Sequence, residues 1–133
     1  MQASALRQKS SLKEEILDIL NKQIAKEAHS AAVYQGMSSW LHTQGLLESA
    51  KYFRKQSDEE RVHMYKFVDY IQDMGGHAHS PEIINVTNQY TGLKEILDTY
   101  LDMEIKITES INNIADLSLR FKDFQTLHFL GWF

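Results

Sequence analysis

Four side chains in this 133-residue sequence stand where chemistry is expected: Glu27, Glu60, His63 and Glu104. Each occupies a position that a helical repeat assigns to an apolar residue. Glu27 lies seven residues after Leu20, three after Ile24 and four before Ala31. Glu60 follows Phe53 by seven, and His63 precedes Phe67 by four. Glu104 comes seven after Leu97, three after Leu101 and three before Ile107. Residues spaced by three, four or seven share one face of a helix. Three segments therefore aim a carboxylate inward near mid-length, and one adds an imidazole a turn away. Burying an unpaired carboxylate costs several kcal/mol even after relaxation. No Lys or Arg sits on those faces at matching height to offset it. A divalent cation would, and carboxylates with one imidazole suit Fe(II), Mn(II) or Zn(II). A glutamate shared by two ions would make the site dinuclear. The competing reading is that the stripes rotate slightly and these groups reach water. The Glu-x-x-His spacing alone decides nothing, because it recurs by chance.

Such a cluster requires long helices held in register. Ser11-Leu12-Lys13-Glu14 matches a capping box, in which serine and glutamate each satisfy a free backbone N–H. Leu12, Ile16, Leu20, Ile24, Ala28 and Ala31 then recur at helical spacing, which predicts an amphipathic helix ending near Gly45. A second helix is expected from about Leu46 to Met74, with Leu47, Ala50, Phe53, Phe67 and Ile71 buried and Gly75-Gly76 as its stop. Residues 75–91 contain Pro81 and have no helical period. A loop that long between long helices is expected to cross the length of a bundle. A third helix is expected over about Gly92 to Phe121, with Leu93, Leu97, Leu101, Ile107, Ile111 and Ile114 on one side. Asp123 reads as an N-cap, and Phe124, Leu127 and Leu130 open a fourth helix. The ending Leu130-Gly131-Trp132-Phe133 has no polar stop, so the fourth helix is expected to be cut off after about three turns. The fold class is all-α: an up-down four-helix bundle with one long crossover between helices two and three and an incomplete fourth helix. Residues 1–133 read as a single domain, with 1–10 as a flexible tail.

Composition narrows the chemistry. There is no cysteine, which removes disulfides, thiolate nucleophiles, iron–sulfur clusters and Cys-type zinc sites. Glu and His remain as metal ligands. The net charge of -4 implies no nucleic-acid surface. The polar N-terminal run lacks the apolar core of a secretory signal. Residues 28–47 contain no Asp, Glu, Lys or Arg, but eight polar side chains from His29 to Gln44 argue against a membrane span. A soluble, cytoplasmic protein without a membrane partner is expected. His77 and His79, with Glu82 nearby, read as solvated loop residues. No phosphate-binding glycine loop or nucleophile elbow is present.

The surroundings of the four residues resemble prokaryotic non-haem (bacterial) ferritin. The segment LNKQIAKEAHSAAVYQGMSSW (Leu20–Trp40) carries Glu27 at the iron-ligand position and Tyr34 seven residues on. DEERVHM (Asp58–Met64) is similar to the family's Glu-Glu-x-x-His segment. MEIKITESINNI (Met103–Ile114) brings Glu104, and FQTLHFLGWF (Phe124–Phe133) resembles the opening of the family's fourth helix. The likeness runs from about Leu12 over nearly the whole chain. It implies a ferritin-like fold in which Glu27, Glu60 and His63 hold one iron of a di-iron ferroxidase centre. Glu60 would bridge to a second iron, held also by Glu104, and Glu59 would belong to a third, peripheral iron site. Tyr34 would be catalytic, donating an electron beside the centre. The implied function is iron storage and detoxification. Fe(II) would be oxidised by dioxygen or hydrogen peroxide, and ferric mineral deposited in a homo-oligomeric shell of 24 subunits. Arg61 stands where a bacterioferritin places its haem-ligating methionine, so no haem is expected. The family's fourth helix carries further carboxylates and a glutamine just after the segment that ends here. The second iron would then lack a ligand and the third site would be mostly missing, so the chain by itself is expected to be a slow or inactive ferroxidase. The alternative is a truncated, non-catalytic bundle remnant or interaction protein without ferroxidase activity.

Overall fold

The computed structural model describes residues 10–133, and among them it contains four α-helices and no strand. We label them α1 (Glu14–Thr43), α2 (Leu47–Asp73), α3 (Leu93–Arg120) and α4 (Phe124–Leu130). Apart from Ser10, the expected flexible tail lies outside the described residues. No described helix is long and apolar enough to cross a membrane.

With 30 residues, α1 is roughly 45 Å long. It pairs antiparallel with α2 through a tight turn at Gly45. There the chain takes φ +77°, and Leu46 N–H reaches back to the Leu41 carbonyl at 3.0 Å. That six-to-one bond with a left-handed residue inside it is a Schellman cap. The same device ends α2, where Gly75 has φ +81° and Gly76 N–H bonds the Ile71 carbonyl at 2.9 Å. It recurs after α3, with Asp123 N–H on the Ser118 carbonyl at 2.8 Å. Asp123 then caps α4, its carboxylate accepting from Thr126 N–H at 3.0 Å.

The crossover between α2 and α3 runs along α1. At one end Asn21 clamps it, donating to the His77 carbonyl at 3.0 Å and accepting from His79 N–H at 2.8 Å. Farther on, the loop passes against Gly36, where an added Cβ would meet the Thr87 carbonyl oxygen at 3.0 Å. Ala78 packs on one core and Val86 and Tyr90 on the other, so the loop does traverse the bundle.

Those two cores are separate. One gathers Ile16, Leu20, Ile24, Phe67, Ile71 and Ile114, with Leu130 of α4. The other holds Val33, Tyr34, Met37, Leu41, Phe53 and Ile96. Between them lies a polar waist of buried Gln23, Glu27, Ser30, Ser57 and Glu60.

Several sequence-based expectations are corrected. The capping box does not form. Lys13 is the N-cap of α1, with no side-chain cap bond. Instead Ser11 N–H bonds the Met74 carbonyl at 2.9 Å, and Ser10 Oγ accepts from Leu12 N–H at 3.0 Å. The entering chain is tied to the end of α2, which draws Ser11 away from its own helix. Leu47 stays exposed in the first turn of α2, beside the interhelical turn. On α3, Leu97 and Leu101 are also exposed, and the buried line runs through Ile96, Ser110, Ile114 and Ser118. A row of i, i+4 leucines drifts by about 40° per step around the helix, so it leaves the contact with α1. Finally, α4 is a seven-residue helix followed by a turn, shorter than the expected three turns.

Candidate metal centre

The polar waist is assembled from neighbouring helices. From α1 comes Glu27, from α2 Glu60 and His63, and from α3 Glu104. Glu27 and Glu60 are buried, at 0% and 3% exposure, and His63 is half-buried. Ligand atoms of Glu27, Glu60 and His63 all lie within 4.8 Å of one another. The His63 Nδ1 stands 3.3 Å from Glu60 Oε2 and 3.7 Å from Glu27 Oε2. It faces both oxygens but is aligned with neither, and both remain without a hydrogen-bond partner. Buried polar atoms are nearly always satisfied, so two orphaned carboxylate oxygens at one point need an explanation. A cation among them supplies it, and the mixed oxygen and imidazole donor set suits a divalent ion.

The charges agree with that reading. Facing Glu27 and Glu60, the imidazole of His63 is held up at about 10. Burial, reinforced by the neighbouring Glu27, pushes Glu60 up to about 8. Burial also acts against ionised Glu27, but contacts with His63, Glu60 and Gln23 outweigh it and hold its carboxyl below the ordinary 4.5. Burial and mutual contact thus favour the protonated forms of His63 and Glu60 and the ionised form of Glu27. A divalent ion would compete with those protons for the same oxygens and nitrogen.

The centre opens into a cleft of about 600 Å³. Glu104 lines the same cleft, together with Thr108 and Asn112 of α3. Its Oε1 accepts from the Tyr34 hydroxyl at 2.8 Å. Tyr34 is fully buried, and burial followed by the Glu104 contact raises its phenol far above the ordinary 10. Glu104 is thus oriented by α1 and faces the trio without joining its tight group. Glu59 is exposed and does not line the cleft.

Sequence reasoning missed two parts of the site. Gln23 is buried, and its Nε2 donates to Glu27 Oε1 at 3.0 Å, which sets the carboxylate's orientation. Its signal was available: Gln23 stands four residues before Glu27. Trp132 and Phe133 fold over the cleft, each ring centroid 5.7 Å from His63 and edge-on to it. Phe133 also stacks on Phe67 at 4.6 Å, and Lys66 Nζ lies 4.5 Å from the Trp132 ring. No spacing rule would place these residues, because the turn after α4 directs them.

Residues 17–133 match the Ferritin family, described as a ferritin-like domain. This chain belongs to the ferritin family. It is 33% identical over 122 residues to the bacterial non-heme ferritin of Staphylococcus saprophyticus, covering 92% of this chain and 73% of that one. The bacterial non-heme ferritin of Campylobacter jejuni is 30% identical over 122 residues, with the same coverage of 92% and 73%. Among solved structures, Chlorobium tepidum ferritin superposes with a TM-score of 0.88 at 41% identity, over 91% of this chain and 74% of that one. An open pore ferritin from Archaeoglobus fulgidus gives 0.89 at 27% identity, over 92% and 75%. The ferritin-like bundle expected from the sequence is thus the observed fold.

Proposed function

We propose that this ferritin-family chain binds Fe(II) at Glu27, Glu60 and His63, promotes its oxidation, and stores the ferric product. The observation that carries the reading is the pair of buried, partnerless oxygens, Glu27 Oε2 and Glu60 Oε2, facing His63 Nδ1. Iron is the substrate and cargo. Glu60 and Glu104, which line the same cleft, would hold a second ion and so make a di-iron centre. Each Fe(II) gives up one electron. Dioxygen takes two electrons and two protons and leaves as peroxide, and hydrogen peroxide serves as the alternative oxidant. Tyr34, hydrogen-bonded to Glu104, supplies a further electron when the iron pair cannot. Exposed Glu59 belongs to a third, peripheral iron site. Arg61 donates to Ser57 Oγ at 2.9 Å, and no haem is part of the reading. The ferric mineral forms in a cytoplasmic homo-oligomeric shell.

Fe(II) oxidation in air is expected to be faster with the chain than without it. Glu60→Ala and Glu104→Ala are each expected to abolish that acceleration. Unchanged rates in both variants would sink the proposed centre. A second reading, a non-catalytic interaction protein, is favoured by the exposed row Leu97, Leu101 and Ile105 on α3. Contiguous exposed apolar surface marks association sites. Size-exclusion chromatography separates the two: a large hollow shell supports storage, and a small oligomer that binds no iron supports the second reading.

A further inference from the structure

Beside the metal centre the second core carries four aromatic rings in contact: Tyr34, Phe53, Tyr100 and Tyr52. Tyr34 and Tyr100 have ring centroids 5.3 Å apart, and Tyr100 and Tyr52 are 5.9 Å apart. Phe53 packs edge-on to Tyr100 at 5.1 Å and to Tyr52 at 5.2 Å, holding both rings in place. The three phenols are also joined to polar partners. Tyr34 O–H donates to Glu104, the Tyr52 and Tyr100 hydroxyls share a hydrogen bond of 2.8 Å, and Tyr100 O–H donates to Gln56 Oε1 at 3.1 Å. With the Tyr100 proton on Gln56, Tyr52 is the donor in the shared bond. The series begins at a fully buried phenol hydrogen-bonded to the cleft-lining Glu104 and ends at Tyr52, which is 46% exposed. Packing alone would be served as well by phenylalanine, and three neighbouring tyrosine rings that run from Glu104 to the surface, each with a hydrogen-bonded hydroxyl, call for another account.

We propose that Tyr34, Tyr100 and Tyr52 form a one-electron relay between the metal centre and reductants in solution, a role that rests on the iron-oxidising reading above. When a one-electron oxidant derived from peroxide or dioxygen arises in the cleft, Tyr34 gives it an electron and passes its phenolic proton to Glu104. Tyr100 then reduces the Tyr34 radical, which recovers its proton from Glu104, while the Tyr100 proton leaves to water. The Tyr52 O–H gives a hydrogen atom to the Tyr100 radical across the shared bond. Tyr52, now the radical at the surface, takes an electron from a water-soluble one-electron reductant, Fe(II) itself or an ascorbate-class donor, and a proton from water. The net transfer is one electron from reductant to oxidant, with no net change in protons on the relay. Tyr100 meets neither the oxidant nor the reductant, and Tyr52 meets only the reductant, at the surface.

The test loads the full chain with Fe(II), mixes it with hydrogen peroxide, and follows the tyrosyl radical by rapid-freeze EPR with and without ascorbate. Ascorbate is expected to quench the radical in the unsubstituted chain. Tyr52→Phe and Tyr100→Phe should each slow that quenching by about tenfold, a barrier change of ~1.4 kcal/mol. Tyr65→Phe, exposed and outside the series, should quench at the unsubstituted rate. Both relay variants keep the ring, and Tyr52 is a surface residue, so a folding defect will not mimic the result. Quenching at the unsubstituted rate in both variants would overturn the relay while leaving iron oxidation standing. Absence of protein-accelerated Fe(II) oxidation in the unsubstituted chain would instead overturn the iron reading, and the relay with it.

Discussion

Phe67, Ile24 and Leu20 fill one apolar core, where every atom is satisfied by contact alone. One to two helical turns away, Glu27 and Glu60 are as deeply buried and leave two carboxylate oxygens without partners. The same helices build both layers, at the same depth, from the same heptad-like spacing. In the core, burial lowers the free energy of the folded chain by roughly 25 cal/mol per Å² of apolar surface. In the waist, burial works against it, and the deficit is stored as affinity for whatever brings positive charge. The difference teaches that burial reports only position, while the satisfaction of polar atoms reports purpose.

The sharpest contrast comes from substituting each layer. Phe67→Ala removes a ring that is 0% exposed and should cost about 3–5 kcal/mol. Replacing Glu27, Glu60 and His63 together by leucine should instead leave the metal-free chain as stable or more stable, by up to ~4 kcal/mol. Urea titration of both proteins checks this, and a large loss in the triple variant would show that the waist is structural. Metal affinity should respond the other way. Glu60→Ala should weaken binding of Fe(II) or Zn(II) by at least ~100-fold, the upper end of the effect seen when only a ligand's supporting residue is lost. Phe67→Ala should leave affinity within a few-fold at temperatures where it stays folded. Calorimetric titration reads both.

Proton linkage distinguishes the layers next. In the folded chain Glu60 titrates near 8 instead of 4.5, and His63 near 10 instead of 6.5. Both values are raised, so the folded state binds more protons than the unfolded one between about 5 and 10. The stability from Glu60 is complete below 4.5 and lost through about 8; that from His63 is complete below 6.5 and lost through about 10. Metal-free stability should therefore fall as pH rises across this window, and the triple leucine variant should be nearly flat. Binding a divalent ion at pH 7 should release about two protons, one from each group. Release of none, measured by pH-stat, would contradict the arrangement. The smallest effect is expected at Gln23. Gln23→Leu removes the donor to Glu27 Oε1 and should cost about tenfold in metal affinity. Its effect on stability should be slight, because leucine suits the neighbouring core.

The helices and Glu27, Glu60 and His63 were legible because each rests on local spacing, whereas Glu104 lines the cleft although Leu97 and Leu101, the residues that marked its face, are exposed. Glu27 between Ile24 and Ala31 announces itself along α1 wherever that helix packs. Residues whose placement depends on a partner element were not legible. Leu97 and Leu101 read as core, yet α3 rests on α1 along a narrower line and leaves them outside. Ser11 read as a cap, yet its backbone is bonded across to Met74, 63 residues away in sequence. Trp132 and Phe133 read only as an apolar ending, and the turn after α4 folds them over His63.

By itself the sequence determined the all-α class, the two long paired helices, the crossing loop, and carboxylates on apolar stripes, since helical periodicity repeats every few residues and needs no partner to be read. Only the tertiary structure decided that Glu27 and Glu60 leave their Oε2 atoms empty-handed beside His63, that Glu104 is turned by Tyr34, and that three tyrosine rings run from Glu104 to the surface. Those are relations between side chains on different helices. They depend on the rotation and height of one helix against the next, which packing settles and which no single helix carries in its own spacing.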